Sequence, residues 1–181
     1  STNTYTRTSY ALPSSQGDFE AENSFITRNI GDTKNIVIGA EYTTIEVGDS
    51  PYQVSPSING YLYVANQGDD TVSVVRVSDG ALVDTVNVGD EPYGLAVATI
   101  ASIPYIYVAN TGSDDVSVIR TTDNTVIDTV DVGVKPYYAA TIGTKVYVTN
   151  GASNTVSVID ANTNTVSDTI SVGSYPRGIK A

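Results

Sequence analysis

Apolar and polar positions alternate along this chain in short runs. Runs of Val, Ile, Leu and Tyr are separated by clusters of Asn, Asp, Ser, Thr and Gly. In one run Tyr105, Tyr107 and Ala109 share a face. In the next, Val116 and Val118 point one way and Ser117 and Ile119 the other. A period of two belongs to strands, and the helical period of 3.6 is not seen. Where both faces of a run are apolar, the expectation is an inner strand covered on both sides.

The pattern is also periodic on a longer scale. Tyr-Val-Ala-Asn begins at Tyr63 and at Tyr107, and Tyr-Val-Thr-Asn at Tyr147. Each leads into Val-Ser-Val, then Asp-Thr-(Val/Ile), then Val-Gly-x-x-Pro. The glycines of the last motif are Gly48, Gly89, Gly133 and Gly173; the prolines are Pro51, Pro92, Pro136 and Pro176. Such a unit cannot bury its own apolar face, so copies must stack. After each of the first three prolines, four strands are expected. In the second full copy they fall at Tyr93–Ala98, Pro104–Ala109, Val116–Arg120 and Thr125–Val132. Turn chemistry separates them: Asn110-Thr111-Gly112-Ser113-Asp114 between second and third, Thr122-Asp123-Asn124 between third and fourth. Length varies between first and second strands, at Ser55–Gly60, Thr99–Ile103 and Ile142–Thr144. Four short antiparallel strands per repeat define a propeller blade.

The motif string Tyr-Val-Thr-Asn, Asn-Thr-Val-Ser-Val-Ile-Asp and Val-Gly-x-x-Pro, seen best over residues 145–176, resembles the YVTN-type β-propeller repeat. The likeness covers about residues 42–180. That family's Ser-Pro-Asp-Gly is approached only by Ser55-Pro56-Ser57-Ile58-Asn59-Gly60. The resemblance implies an archaeal or bacterial surface-layer or cell-surface protein. The fold expectation is all-β: three full blades, a degenerate N-terminal blade and a lone C-terminal strand after Pro176. Residues 1–34 form an arm or the worn blade, with Asn23–Ile30, Asn35–Ala40 and Tyr42–Val47 as its strands; residues 35–181 form the propeller repeats. Three blades with unpaired ends are expected to self-associate into an oligomer or filament, because exposed strand edges seek partners.

Composition narrows the chemistry. The formal net charge of −11 and pI near 4.1 exclude nucleic acid as a partner, since no basic patch can neutralise phosphates. No apolar run reaches the length of a membrane span, so no insertion is expected. The chain has no Cys, His, Met or Trp. Disulfides, thiolate sites and imidazole bases are therefore absent. The start at Ser1 is expected of a processed mature chain, and the location expected is extracellular.

Candidate sites follow from the repeat. The residue after the blade proline is Tyr52, Tyr93 or Tyr137, and Tyr175 precedes Pro176. Ringed at one mouth with Asp49, Asp90 and Glu91, these tyrosines could hold a sugar or a cation. Against this stands simple packing of each tyrosine on the next blade. Asp69, Asp70, Asp114 and Asp115 lie in equivalent turns and offer hard oxygen ligands, with calcium the ion they would suit. A tight turn also takes Asp without any ion. Asp84, Asp128 and Asp168 read as a solvated outer face, with Arg76 and Arg120 as pairing partners. Tyr63, Tyr107 and Tyr147 are expected to be buried between blades. No nucleophile, base or phosphate loop is recognisable, so no catalytic residue is assigned and no enzyme is expected. The functional expectation is a structural or adhesive surface protein. The alternative is a carbohydrate- or cation-binding propeller module.

Overall fold

The computed structural model describes residues 35–38 and 43–181, and its regular elements are all antiparallel strands. Strands β3 (Pro51–Val54), β4 (Tyr61–Asn66), β5 (Thr71–Arg76) and β6 (Leu82–Asn87) form blade I. Blade II holds β7 (Pro92–Ile100), β8 (Ile103–Asn110), β9 (Asp115–Arg120) and β10 (Thr125–Asp131). Blade III holds β11 (Pro136–Ile142), β12 (Lys145–Asn150), β13 (Thr155–Asp160) and β14 (Thr165–Ser171). Each blade is a plain meander in chain order, the architecture of a propeller blade. Ahead of them β1 (Asn35–Ile38) pairs with β2 (Thr43–Glu46), matching the third and fourth strands expected of a worn blade. The remainder of that blade, including Asn23–Ile30 and the arm over residues 1–34, lies outside the described residues.

Turns form where left-handed backbone is supplied. Gly80, Asn124 and Asn164 occupy it between third and fourth strands, and Asp70, Asp114 and Asn154 between second and third. Gly, Asn and Asp tolerate that region better than other residues. In blade II the first hairpin uses Ala101 and Ser102 in the same conformation. Two successive left-handed residues match the twist of paired strands, which explains the hairpin despite its lack of glycine.

The core lies between blades. Tyr63, Ala65, Val72 and Val74 on one face of blade I meet Leu95, Ile106, Val108 and Ile119 of blade II. Tyr107, Ala109, Val116 and Val118 on the other face of blade II meet Val146, Val148 and Ile159 of blade III. Leu62, Val64 and Val75 of blade I carry Ile45 and Val47 from the preceding unit. Middle strands are thus apolar on both faces, as their broken alternation implied. The innermost strands β3, β7 and β11 pack side by side. Gln53 bridges two of them, accepting from the Leu95 N–H at 3.1 Å and donating to the Leu95 carbonyl at 3.3 Å.

One hydrogen-bonded clamp recurs in every blade. The turn after the second strand holds the Gly-x-x-Pro linker that enters its own blade. Gln67, Thr111 and Gly151 donate N–H groups to the carbonyls of Ser50, Glu91 and Lys135 at 3.0, 3.0 and 2.8 Å. The same turn grips the linker that leaves the blade. Asp70, Asp114 and Asn154 accept through Oδ1 from the N–H groups of Glu91, Lys135 and Tyr175 at 2.9, 2.8 and 2.8 Å. The repeat asparagines sit at the centre. Asn66, Asn110 and Asn150 are fully buried and donate to Ser73, Ser117 and Ser157, each at 2.9 Å. Gly48 and Gly133 approach them so closely that an added Cβ would stand 2.6 Å from Asn66 and 2.7 Å from Asn150. Only a residue without a side chain fits.

Three expectations are corrected. Tyr63 and Tyr107 are buried, but Tyr147 is only half-buried, because its face of blade III has no following blade against it. Residues 176–181, expected as a lone strand, carry no strand; a strand is defined by a ladder, and this segment pairs with none. Arg76 and Arg120 reach Asp79 and Asp123 in their own turns, at 3.0 and 2.5 Å, rather than the outer-strand acids. A partner three residues away costs less side-chain entropy than a distant one. The guanidinium beside Asp123 holds its carboxyl down to about 2. The outer-strand acids Asp84, Asp128 and Asp168 instead accept from the next residue's N–H at 2.9, 2.9 and 2.8 Å, and Asp84 also accepts from the Asn124 amide of blade II at 3.0 Å. They sit beside a register shift in each outer strand, the kind of irregularity that blunts an edge.

Candidate functional site

The clamp fixes where the post-proline tyrosines stand. The residue before each proline, Ser50, Glu91, Lys135 or Tyr175, is left-handed. Non-glycine residues pay for that conformation, and at Glu91, Lys135 and Tyr175 a bond from the preceding blade's turn holds it in place. Pairing then shifts register between Pro51 and Val54, Pro92 and Gly94, and Pro136 and Ala139. A bulge at this point re-aims the side chains of the intervening residues.

The tyrosines of successive repeats come together in one continuous cluster. Tyr52 and Tyr93 have ring centroids 3.5 Å apart and their hydroxyls are hydrogen-bonded to each other. Tyr93 meets Tyr137 edge-on at 5.2 Å, and Tyr137 lies 5.9 Å from Tyr175. The Tyr137 and Tyr175 hydroxyls are 3.0 Å apart. Tyr138 joins from the other side, 5.3 Å from Tyr93 and 6.5 Å from Tyr52. Gly94 makes room for it: an added Cβ there would stand 2.7 Å from the Tyr138 Cα. Edge-to-face and tilted pairs of this kind suit the ring quadrupole.

Cations stand at the Tyr137–Tyr175 end of the cluster. The Arg177 guanidinium lies over Tyr137 at 5.0 Å and over Tyr175 at 5.2 Å from the centroids. Burial, helped by Tyr138, pushes the Tyr93 hydroxyl up to about 12. The hydrogen bond with Tyr175 and burial push Tyr137 up. The same bond, with Arg177 and Lys135 nearby, pushes Tyr175 down. All four tyrosines singled out in the sequence are therefore assembled, and Tyr138 and Arg177 are additions. Two consecutive tyrosines in a strand should point to opposite faces, so alternation hid Tyr138 until the bulge was seen. Arg177 follows Pro176 and so holds the post-proline position that tyrosine fills in the other copies, a register that could have pointed to it.

The candidate acids stand in the linkers and turns. Asp49, Asp90 and Glu91 belong to the linkers just before the tyrosines. Their N–H groups are held by Asp69 Oδ2 at 2.5 Å, Ser113 Oγ at 3.1 Å and Asp70 Oδ1 at 2.9 Å. The four turn acids are each engaged with an N–H donor. Asp69, Asp70 and Asp114 accept from linkers, and Asp115 from the Asn110 amide at 2.6 Å. Among the described residues no three acidic side chains converge as a metal ion would need.

No protein-family model matches the chain, and no curated protein matches it in sequence. Solved structures do resemble it. Hydrazine synthase of Kuenenia stuttgartiensis superposes with a TM-score of 0.66 at 23% identity, over 77% of this chain and 41% of that one. The dihydro-heme d1 dehydrogenase NirN matches with a TM-score of 0.66 at 13% identity, over 78% and 34%. AztD from Citrobacter koseri matches at 0.59 and 17%, over 81% and 44%. These are β-propeller proteins, and this chain is a β-propeller repeat protein in fold. It spans less than half the length of each of those structures. At such identities the likeness concerns architecture alone.

Proposed function

We propose that this is a non-enzymatic structural or adhesive protein of the cell surface, which assembles by sharing blades between copies. The observation that carries this reading is the exposed outer strand on the far face of blade III, beside the buried Val156 and Val158 of its middle strand. Ile170 is 44% exposed, whereas its counterparts Val86 and Val130 are 7% and 6% exposed beneath the next blade. Val172 is likewise exposed, and Tyr147 lacks the cover that Tyr107 has. The two interfaces within the chain, where such a face packs against the next blade of the same repeat, support this reading. A contiguous apolar patch is an interaction surface by default. The acidic composition suits a soluble surface array, and the lack of any recognisable nucleophile or base favours a role without catalysis. Sedimentation of the full chain against Ile170→Asp tests the reading. Concentration-dependent association of the wild type, lost in the variant, is expected. A compact monomer at every concentration would overturn it.

A second reading is favoured by the tyrosine cluster. Partly exposed aromatic rings beside a fixed guanidinium form a platform for a carbohydrate, and the rim of a propeller's innermost strands is where such ligands would sit.

A further inference from the structure

The cations at the Tyr137–Tyr175 end of the cluster are opposite in sign to the molecule as a whole. The chain carries −11 overall, yet the side chains with full charge that act most on Tyr137 and Tyr175 are Arg177 and Lys135. Arg177 is exposed, so its charge is presented to solvent. Its guanidinium lies within cation–π range of the Tyr137 and Tyr175 rings. With five donors, and hydrogen bonds to the Tyr175 and Tyr137 hydroxyls, it has donors left for a ligand. A guanidinium matches a carboxylate with two parallel hydrogen bonds. Tyr175, 45% exposed beside it, offers a ring for the apolar face of a sugar.

We propose that the tyrosine mouth binds an acidic saccharide, with Tyr175 stacking on the sugar ring and Arg177 pairing with its carboxylate. The inference rests on the carbohydrate-binding reading and adds to it the ligand's charge and the residue that selects it. Neutral sugars would meet the same rings without the charge-assisted pair.

Isothermal titration calorimetry on the full chain separates the two levels. The probes are a galacturonic acid tetramer and a galactose tetramer, at constant ionic strength. The acid is expected to bind at least about tenfold more tightly, the scale of one charge-assisted pair. Arg177→Gln should abolish that preference and leave the neutral tetramer unchanged. Tyr175→Ala should weaken both. Both residues are exposed, so the variants keep the fold. Equal binding of the two probes, or an acid preference that survives Arg177→Gln, overturns the assignment of Arg177 while the carbohydrate reading stands. Binding of neither probe overturns both.

Discussion

Tyr107 fills the space between blades II and III and ties them together. Its ring is fully buried among Ala109, Val118 and Val146, and its hydroxyl donates to Asn164 Oδ1 at 2.7 Å. Tyr63 repeats the arrangement with Asn124 at 2.9 Å. Tyr107→Ala should lower stability by about 3–5 kcal/mol in urea unfolding, the usual cost of removing a buried aromatic. Tyr107→Phe should cost about 1 kcal/mol, the net worth of the hydroxyl's bond. Burial pushes both hydroxyls up to about 12. An unfolded tyrosine releases its proton near pH 10, so the unfolded chain loses protons first. Stability should therefore be complete below about pH 10 and fall as pH rises toward about 12. A stability that rises across that window would contradict the burial of these tyrosines. The repeat made Tyr63 and Tyr107 legible as core residues from sequence. It could not distinguish Tyr147, because identical residues acquire different burial when one copy has a neighbour and another does not.

The linker and the turn that clamps it form the unit that propagates the fold from blade to blade. The turn acids, which spacing alone could equally present as ion ligands, act here as acceptors, Asp69, Asp70 and Asp114 for backbone N–H groups and Asp115 for the Asn110 side-chain amide. Their left-handed positions and the linker bonds explain why Asp or Asn recurs at Asp70, Asp114 and Asn154. Gly133→Ala should cost about 1–3 kcal/mol, because its Cβ would crowd Asn150 in a packed site. Gly173 has no atom within 4 Å of its would-be Cβ, so Gly173→Ala should change the dilute chain's stability by less than about 0.5 kcal/mol. Thermal unfolding of the two variants side by side checks the contrast, and equal losses would refute it. Strand positions were readable because turn residues punctuate every repeat. Contacts that depend on a bulge, such as Tyr138 joining the ring cluster, were not, since alternation predicts the opposite face. The pairing of Arg76 and Arg120 with turn acids was decided by side-chain reach and lay outside any repeat argument.

At the scale of the whole molecule, one interface is used again and again, and its last example is left uncovered. Blade III shows Ile170, Val172 and Tyr147 where blade II shows a packed core. Burying one such aliphatic side chain is worth about 1.5–3 kcal/mol, the gain a covering blade would bring at each exposed position. The propeller architecture was legible in the repeat; the tyrosine mouth was legible as a row of rings, whereas Arg177, which holds the post-proline position of the last copy, differs there from the tyrosines of the other copies. The central claim is that a blade from another copy covers blade III, and amide hydrogen exchange at the last linker tests it most directly. In the earlier linkers the N–H groups of Gly48 and Gly89 bond to Ser73 and Ser117, and those of Asp49 and Asp90 to Asp69 and Ser113, all in the blade that follows. Gly173 and Ser174 hold the same positions. If a second copy docks there, exchange at these two amides slows as protein concentration rises, while exchange at Gly89 and Asp90 stays constant. Fast exchange at Gly173 and Ser174 at every concentration would contradict the account.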